Sequence, residues 1–303
     1  PPLAPLAPRY HPPPVLVLPD LPERSRLEAE LGSGGMGVVY RAFDRDLGRP
    51  VALKILRERS PAALYDLKRE FRVLGAISNP NLVTLYELEL HGDLAFFTME
   101  LIDGAPLTAE RVDLPTLADR LRQLAAGIAA IHRAGKLHRD LKPANVLVDR
   151  RGRVVILDFG LVTPRDPAAR EHDLGLSGTL AYLPPEAFAG ADPSEAADWY
   201  AFGCLLAEAL IGQRLFVGEL ADLVVRKRRP IDLRRRAPGA PPDLLARAAA
   251  PHGPAPEERP GYAAILDCLD RHARSDTSVP PREPTPAPPP FVGRAPELAA
   301  LAA

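Results

Sequence analysis

The sequence predicts an α+β fold in two lobes: a small antiparallel β lobe carrying one helix, then a larger, mainly α-helical lobe. Three observations carry this reading. Between Arg24 and about Phe97 the apolar residues fall in short runs rich in β-branched side chains. From Leu114 onward they recur at helical spacing. The glycine-rich stretch Gly32-Ser33-Gly34-Gly35-Met36-Gly37 lies between two strand-like runs, Leu27–Leu31 and Val38–Arg41, so the chain folds back there as a hairpin.

Taken in order, residues 1–22 form a proline-dense leader without regular structure, because proline fixes φ and donates no backbone N–H. Val38-Val39-Tyr40 and Val51–Leu56 read as strands. Residues 61–77 read as a helix, with Leu64, Leu67, Phe71, Leu74 and Ile77 on one face and Pro61 suited to the first turn; Asn79-Pro80-Asn81 ends it. Leu82–Leu90 and Leu94–Met99 form a hairpin across His91-Gly92-Asp93. Leu117, Leu121, Leu124, Ile128 and Ile131 mark an amphipathic helix. Ala196–Ile211 is a strongly apolar helix carrying the only tryptophan, Trp199. Residues 276–290, rich in Pro, Ser and Thr, read as a linker, and Phe291–Leu298 opens a new pattern. The expected organisation is a leader (1–22), a domain with lobes at 23–99 and 100–275, a linker (276–290) and the start of another domain (291–303).

Of the 303 residues, 46% are apolar and the net charge is −1, which points to a globular protein and lends no support to nucleic-acid binding. No run approaches the ~20 apolar residues of a membrane span, and the first residues lack the charged-then-apolar pattern typical of a signal peptide. Cys204 and Cys268 lack metal or redox spacing and read as reduced thiols of a cytoplasmic protein. The chain opens on Pro1 rather than Met and reads as a fragment. His11, His91, His132, His172, His252 and His272 have no ligand spacing. Arg226-Lys227-Arg228-Arg229 and Arg234-Arg235-Arg236 read as a solvated charged face.

The chemistry concentrates in His138-Arg139-Asp140-Leu141-Lys142-Pro143-Ala144-Asn145 and Asp158-Phe159-Gly160, which place an acid for a hydroxyl nucleophile and two oxygen ligands for magnesium a short hairpin apart. Upstream, the glycines let backbone amides approach a phosphate with no Cβ in the way. A dinucleotide fingerprint would open a helix after a strand, so the strand context excludes a Rossmann oxidoreductase. One strand later, Lys54 offers a point charge for phosphates and needs an anion behind it; Glu70 on the following helix is the candidate.

HRDLKPAN followed by DFG resembles the catalytic and metal-binding loops of eukaryotic-type protein kinases, over roughly residues 24–275, and Lys142 points to Ser/Thr specificity. The chain is thereby similar to bacterial, Hanks-type serine/threonine protein kinases. The resemblance implies the protein-kinase-like two-lobed fold with ATP in the cleft. It also implies transfer of the γ-phosphate to Ser or Thr hydroxyls on proteins, autophosphorylation, and dependence on magnesium, for which manganese can substitute. Asp140 would be the base, Lys142 would neutralise the γ-phosphate, Lys54 paired with Glu70 would hold the α- and β-phosphates, and Asn145 and Asp158 would hold magnesium. The nucleotide would be lined by Leu31, Gly32, Ser33, Gly34, Gly35, Met36, Gly37 and Val39. Ala52 and Leu147 would close above and below the adenine, with Met99 behind it and Glu100 to Ile102 as the hinge.

By the same resemblance, residues 161–186 are the activation segment, ending in Gly178-Thr179-Leu180-Ala181-Tyr182-Leu183-Pro184-Pro185-Glu186. Ser177 is the preferred regulatory phosphosite, Thr179 bridges Asp140 and Lys142, Glu186 pairs with Arg259, and Asp198 braces the backbone around Arg139. His138 and Phe159 would pack in an apolar column with Leu74 and Leu85. Phe291–Leu298 resembles the opening of ATPase domains that follow kinase domains in some large bacterial regulators. Two other classes fit the sequence less well. A pseudokinase binding module would have lost Lys54, Asp140 or Asp158, and none is lost. A small-molecule kinase of the aminoglycoside or choline type would lack the activation segment and the Lys142 position.

Overall fold

The computed structural model describes residues 21–34, 37–57, 61–91, 94–158, 177–229, 231–250 and 255–273, without the side chains of 61–63, 66, 177 and 178. Most of the proline-dense leader, the linker at 276–290 and the pattern at 291–303 lie outside the described residues.

The first lobe is a five-stranded antiparallel sheet. Its strands are β1 (Ser25–Gly34), β2 (Gly37–Asp44), β3 (Arg49–Leu56), β4 (Leu85–His91) and β5 (Leu94–Met99), in the order β1-β2-β3-β5-β4. Helix α1 (Pro61–Gly75) crosses between β3 and β4. Strand alternation divides the side chains between two faces. Ala42, Val51, Leu53, Tyr86 and Phe96 form a small outer core. Ala52, Phe97 and Met99 join Leu67, Phe71 and Leu74 of α1 in the main core.

The second lobe contains a small sheet of β6 (Gly104–Pro106), β7 (Val146–Asp149) and β8 (Val154–Ile156). Its helices are α2 (Leu114–Arg133), α3 (Ser177–Leu180), α4 (Glu195–Ile211), α5 (Leu220–Lys227), α6 (Pro242–Ala249) and α7 (Tyr262–Asp270). Helix α2 starts where the Asp113 carboxylate accepts the Thr116 N–H at 2.9 Å, which satisfies one of the otherwise unpaired amides of the first turn. Its apolar face, Leu117, Leu121, Leu124, Ile128 and Ile131, is buried. Helix α4 is apolar nearly all round, as a helix at the centre of a lobe must be.

Two predicted boundaries shift for physical reasons. The helix expected over 61–77 stops at Gly75, and Ala76 and Ile77 follow as a turn bonded back to Arg72 and Leu74. The strand expected from Leu82 starts at Leu85, because Leu82 and Val83 are taken by the other lobe: Leu82 bridges Ile156, and the Val83 N–H donates to the Ile156 carbonyl at 3.0 Å. Asn81 completes this seam. It is buried, and its side-chain amide donates to the Val154 carbonyl and to Gln123. Among the described residues, no helix is long and apolar enough to cross a membrane.

Candidate active site

The β1–β2 hairpin closes as expected, with Gly34 opposite Gly37 and Gly32 opposite Val39; Gly35 and Met36 lie outside the described residues. Gly37 is required by space and by conformation. Its φ is +152°, and a Cβ there would lie 1.9 Å from the Ile55 carbonyl oxygen. Ser33 is exposed, and Leu31 stands 52% exposed at the lip of the hairpin. Val39 lies opposite Lys54, which lies opposite Phe97, and Ala52 lies opposite Met99. Directly opposed residues share a face, so Val39, Ala52, Lys54 and Met99 all look toward the cleft between the lobes.

Lys54 is 5% exposed and pairs with Asp158 at 2.8 Å. This joins the expected phosphate-holding cation to an expected metal ligand. The expected Lys54–Glu70 pair is not formed among the described residues. Glu70 bonds Lys136 at 3.3 Å instead. Each cation has its own anion: Lys54 meets Asp158, and Glu70 meets Lys136.

The catalytic loop hangs from α4. The buried Asp198 carboxylate accepts the backbone N–H of His138 at 2.8 Å and of Arg139 at 2.9 Å, and it meets His132 Nε2 at 2.8 Å. These bonds hold Arg139 at φ +70°, a left-handed conformation uncommon for a non-glycine residue. His138 is fully enclosed, and burial pushes its pKa below the usual imidazole value. Its neutral ring donates from Nε2 to the Leu157 carbonyl at 2.9 Å and accepts the Asp140 N–H on Nδ1 at 3.2 Å. A ring with both nitrogens engaged is a brace between two loops. Leu74 and Leu85 are buried as expected, and Phe159 lies outside the described residues.

Around Asp140, one carboxylate oxygen is saturated. Oδ2 meets Lys142 Nζ at 2.8 Å and accepts from Asn145 Nδ2 at 3.0 Å. Oδ1 is buried without a hydrogen-bond partner. Asn145 Nδ2 also donates to the Asp140 carbonyl at 2.8 Å, which commits the amide nitrogen and turns Oδ1 of Asn145 outward. Asp158 Oδ1 is likewise buried without a partner, and Asp158 sits at φ +52°. An orphaned carboxylate oxygen and an amide oxygen are hard donors of the kind magnesium takes, with phosphate oxygens and water completing its shell. The residues present fit that ion.

The segment expected as the hinge begins at Glu100, whose N–H donates to the Thr84 carbonyl at 2.8 Å. Its carboxylate pairs with Arg153, a buried residue that sequence reasoning did not single out. Leu101, Ile102 and Leu147 are part-buried along the cleft.

Of the activation-segment residues, Thr179 Oγ1 accepts from Lys142 at 3.0 Å, one half of the bridge expected between Lys142 and Asp140. Ser177 opens α3, and its side chain lies outside the described residues. Glu186 and Arg259 form a bidentate pair at 2.5 and 2.7 Å. A small cleft, partly open to solvent, lies between this segment and the catalytic loop, lined by Asp140, Thr179, Tyr182, Leu183 and Pro184 among others.

One expectation fails. In the Arg226–Arg229 run, three arginines are exposed but Lys227 is 1% exposed. The signal was its distance from Leu223: one helical turn separates the two, and both are the buried residues of α5.

A model of the protein kinase domain matches residues 25–236. The serine/threonine-protein kinase PknA of Mycobacterium tuberculosis is 34% identical over 234 residues, which cover 73% of this chain and 53% of PknA. PknL of the same organism is 35% identical over 282 residues, covering 88% of this chain and 70% of PknL. The serine/threonine-protein kinase pkn2 of Myxococcus xanthus is 38% identical over 232 residues, covering 71% of this chain and 28% of pkn2. The matched region thus spans about half the length of PknA.

Proposed function

The chain belongs to the protein kinase family, among the bacterial serine/threonine kinases, and from that premise we propose that it transfers the γ-phosphate of ATP to Ser or Thr hydroxyls of proteins, itself included. The observation that carries this is the asymmetry of Asp140. Lys142 and Asn145 hold Oδ2, so Oδ1 is the atom that takes the acceptor hydroxyl's hydrogen bond and then its proton. The acceptor oxygen is thereby aimed at the phosphorus. Lys142 stands beside Asp140 to offset charge on the transferring group, and Lys54 does so for the phosphates behind it. Asn145 and Asp158 would hold magnesium, which when bound would offset charge on the phosphate oxygens. Leu31, the glycines of the hairpin, Val39, Ala52, Met99, Leu147 and the hinge from Glu100 to Ile102 enclose the nucleotide.

Three further elements of the reading rest on sequence. The kinase domain occupies 23–275. A phosphate on Ser177 would meet Arg139 and order the loop around it. The segment at 291–303 begins an ATPase module coupled to the kinase. Cys204 and Cys268 form no disulfide, which is consistent with a cytoplasmic setting.

The test is incubation of the purified chain with radiolabelled ATP and magnesium, with and without a histone acceptor, beside Asp140→Asn. Label in the wild type that is lost in the variant, and found on Ser or Thr, is expected. Equal label in both would remove Asp140 from its role, and label on small molecules alone would remove the protein acceptor.

A further inference from the structure

Lys227 is an unusual residue to enclose. Its ammonium donates to two backbone carbonyls, Ala181 at 2.7 Å and Leu183 at 2.6 Å. It lies 4.6 Å from the Phe216 ring centre, 5.0 Å from that of Tyr200 and 5.8 Å from that of Phe188. No carboxylate lies within ion-pair distance among the described residues. Burying a lysine in this way is costly, so the side chain would not be retained for packing alone, which a methionine could supply.

What it holds is informative. Ala181 and Leu183 flank Tyr182, and Tyr182, Leu183 and Pro184 wall the cleft that also contains Asp140. An acceptor chain that presents its hydroxyl to Asp140 Oδ1 must lie against that wall. Lys227 is buried and is not among the residues that line the cleft, so it acts on the wall from behind. Neighbouring anchors act on other atoms: Glu208 accepts from the Tyr182 hydroxyl at 2.8 Å, and Arg259 holds Glu186. Among the described residues, Lys227 is the charged side chain that grips the backbone of Ala181 and Leu183.

We propose that Lys227 is a positioning residue for the protein acceptor, setting the backbone of residues 181–183 so that an acceptor hydroxyl is delivered to Asp140. This goes beyond the family resemblance and rests on the reading of Asp140 as the acceptor-side carboxylate. Because Lys227 touches neither the nucleotide hairpin nor the hinge, its effect falls on the acceptor and spares ATP. Burial lowers the pKa of the ammonium to about 8, against the partly offsetting pull of Cys204, Glu186 and Glu208, the titratable groups that face it. Its grip therefore weakens as pH rises through that value, from a charge-assisted bond to a neutral one.

The experiment compares wild type, Lys227→Met and Lys227→Arg in steady-state transfer to histone, with the KM for histone and for ATP measured separately at pH 7 and pH 9. Lys227→Met is expected to raise the histone KM at least about tenfold while the ATP KM stays within about twofold. Lys227→Arg is expected to recover part of the loss. The wild-type histone KM should rise from pH 7 to pH 9 and that of Lys227→Met should not. A folded Lys227→Met with an unchanged histone KM, or with both KM values raised alike, would overturn the proposal. Amide hydrogen exchange provides a readout that needs no catalysis. Faster exchange at 182–183 in Lys227→Met, with α4 unchanged, is expected, and unchanged exchange there overturns the role of Lys227. If the wild type transfers no phosphate, the proposed function falls while this exchange comparison still decides the role of Lys227. Should Lys227→Met not fold, Lys227→Gln, which keeps a donor, carries the same comparisons.

Discussion

Glu70 of α1 is bonded to Lys136, at 3.3 Å, and Lys54 is bonded to Asp158, at 2.8 Å. The helix that should brace the phosphate-holding lysine is tied instead to the segment leading into the catalytic loop. Both members of the Glu70–Lys136 pair are about one-quarter exposed, so the tie is worth only ~0.5–1 kcal/mol. Lys136→Ala is expected to release Glu70 to Lys54 and raise basal transfer about two- to fivefold, the factor that energy gives. Glu70→Gln should lower it. Initial rates at saturating ATP decide, and a Lys136→Ala rate at or below wild type counts against that release.

Asp158→Ala should reduce ATP affinity in magnesium to the value measured in EDTA, because it removes an oxygen donor that has no other partner. Lys54→Ala should cut kcat by at least about 100-fold, since it removes charge stabilisation from the transferring phosphates. Titration calorimetry with and without magnesium reads the first, and single-turnover transfer reads the second. Wild-type-like values in either would displace that residue from the site.

His138 contributes to stability in a pH-dependent way. Burial lowers its pKa in the folded state below 6.5, so the unfolded chain binds the proton more readily. The contribution is complete above about pH 6.5 and is lost as pH falls below it toward the folded value. Urea midpoints at pH 7.5, 6.5 and 5.5 should therefore decline in the wild type. In His138→Gln, which keeps a donor and an acceptor but does not titrate, the decline should be shallower. Parallel declines would exclude His138 as the source.

Arg259→Met should destabilise the α lobe by about 2–4 kcal/mol. Breaking one side of a fully buried pair costs roughly 3–5 kcal/mol. The Arg259 side chain is 1% exposed, but Glu186 retains 19% and is partly relieved by water. The change in denaturant midpoint at constant slope measures it. A loss under about 0.5 kcal/mol would place the pair with ordinary surface pairs.

Much of this was legible in the sequence because the local pattern and the chemistry coincide. Gly37 sits where only glycine fits, between runs whose β-branched residues demand strands. Asp140, Lys142, Asn145 and Asp158 are close in the chain, so loop geometry alone brings them together. What was hidden depends on contacts across lobes or on position within a helix. The partner of Glu70 is set by how α1 sits over the catalytic loop, and Lys136 carries no motif. Lys227 sits within a run of charges, and only its spacing of one helical turn from Leu223 marks it as buried. Arg153 and Asn81 are polar residues whose burial follows from the seam between the lobes, which no local pattern marks.

The suspension of the catalytic loop from Asp198 has a consequence for anyone trimming this protein. Every residue proposed to touch nucleotide or metal lies before residue 159, so a chain ended ahead of Glu195 would keep the full set of diagnostic motifs. It would lack the carboxylate that holds Arg139 in its left-handed turn and the backbone of His138 in place. Such a fragment would pass every inspection by eye and have no means of keeping Asp140 aimed. A working unit must therefore extend past Asp198, 40 residues beyond Asp158, the last residue proposed to hold nucleotide or metal.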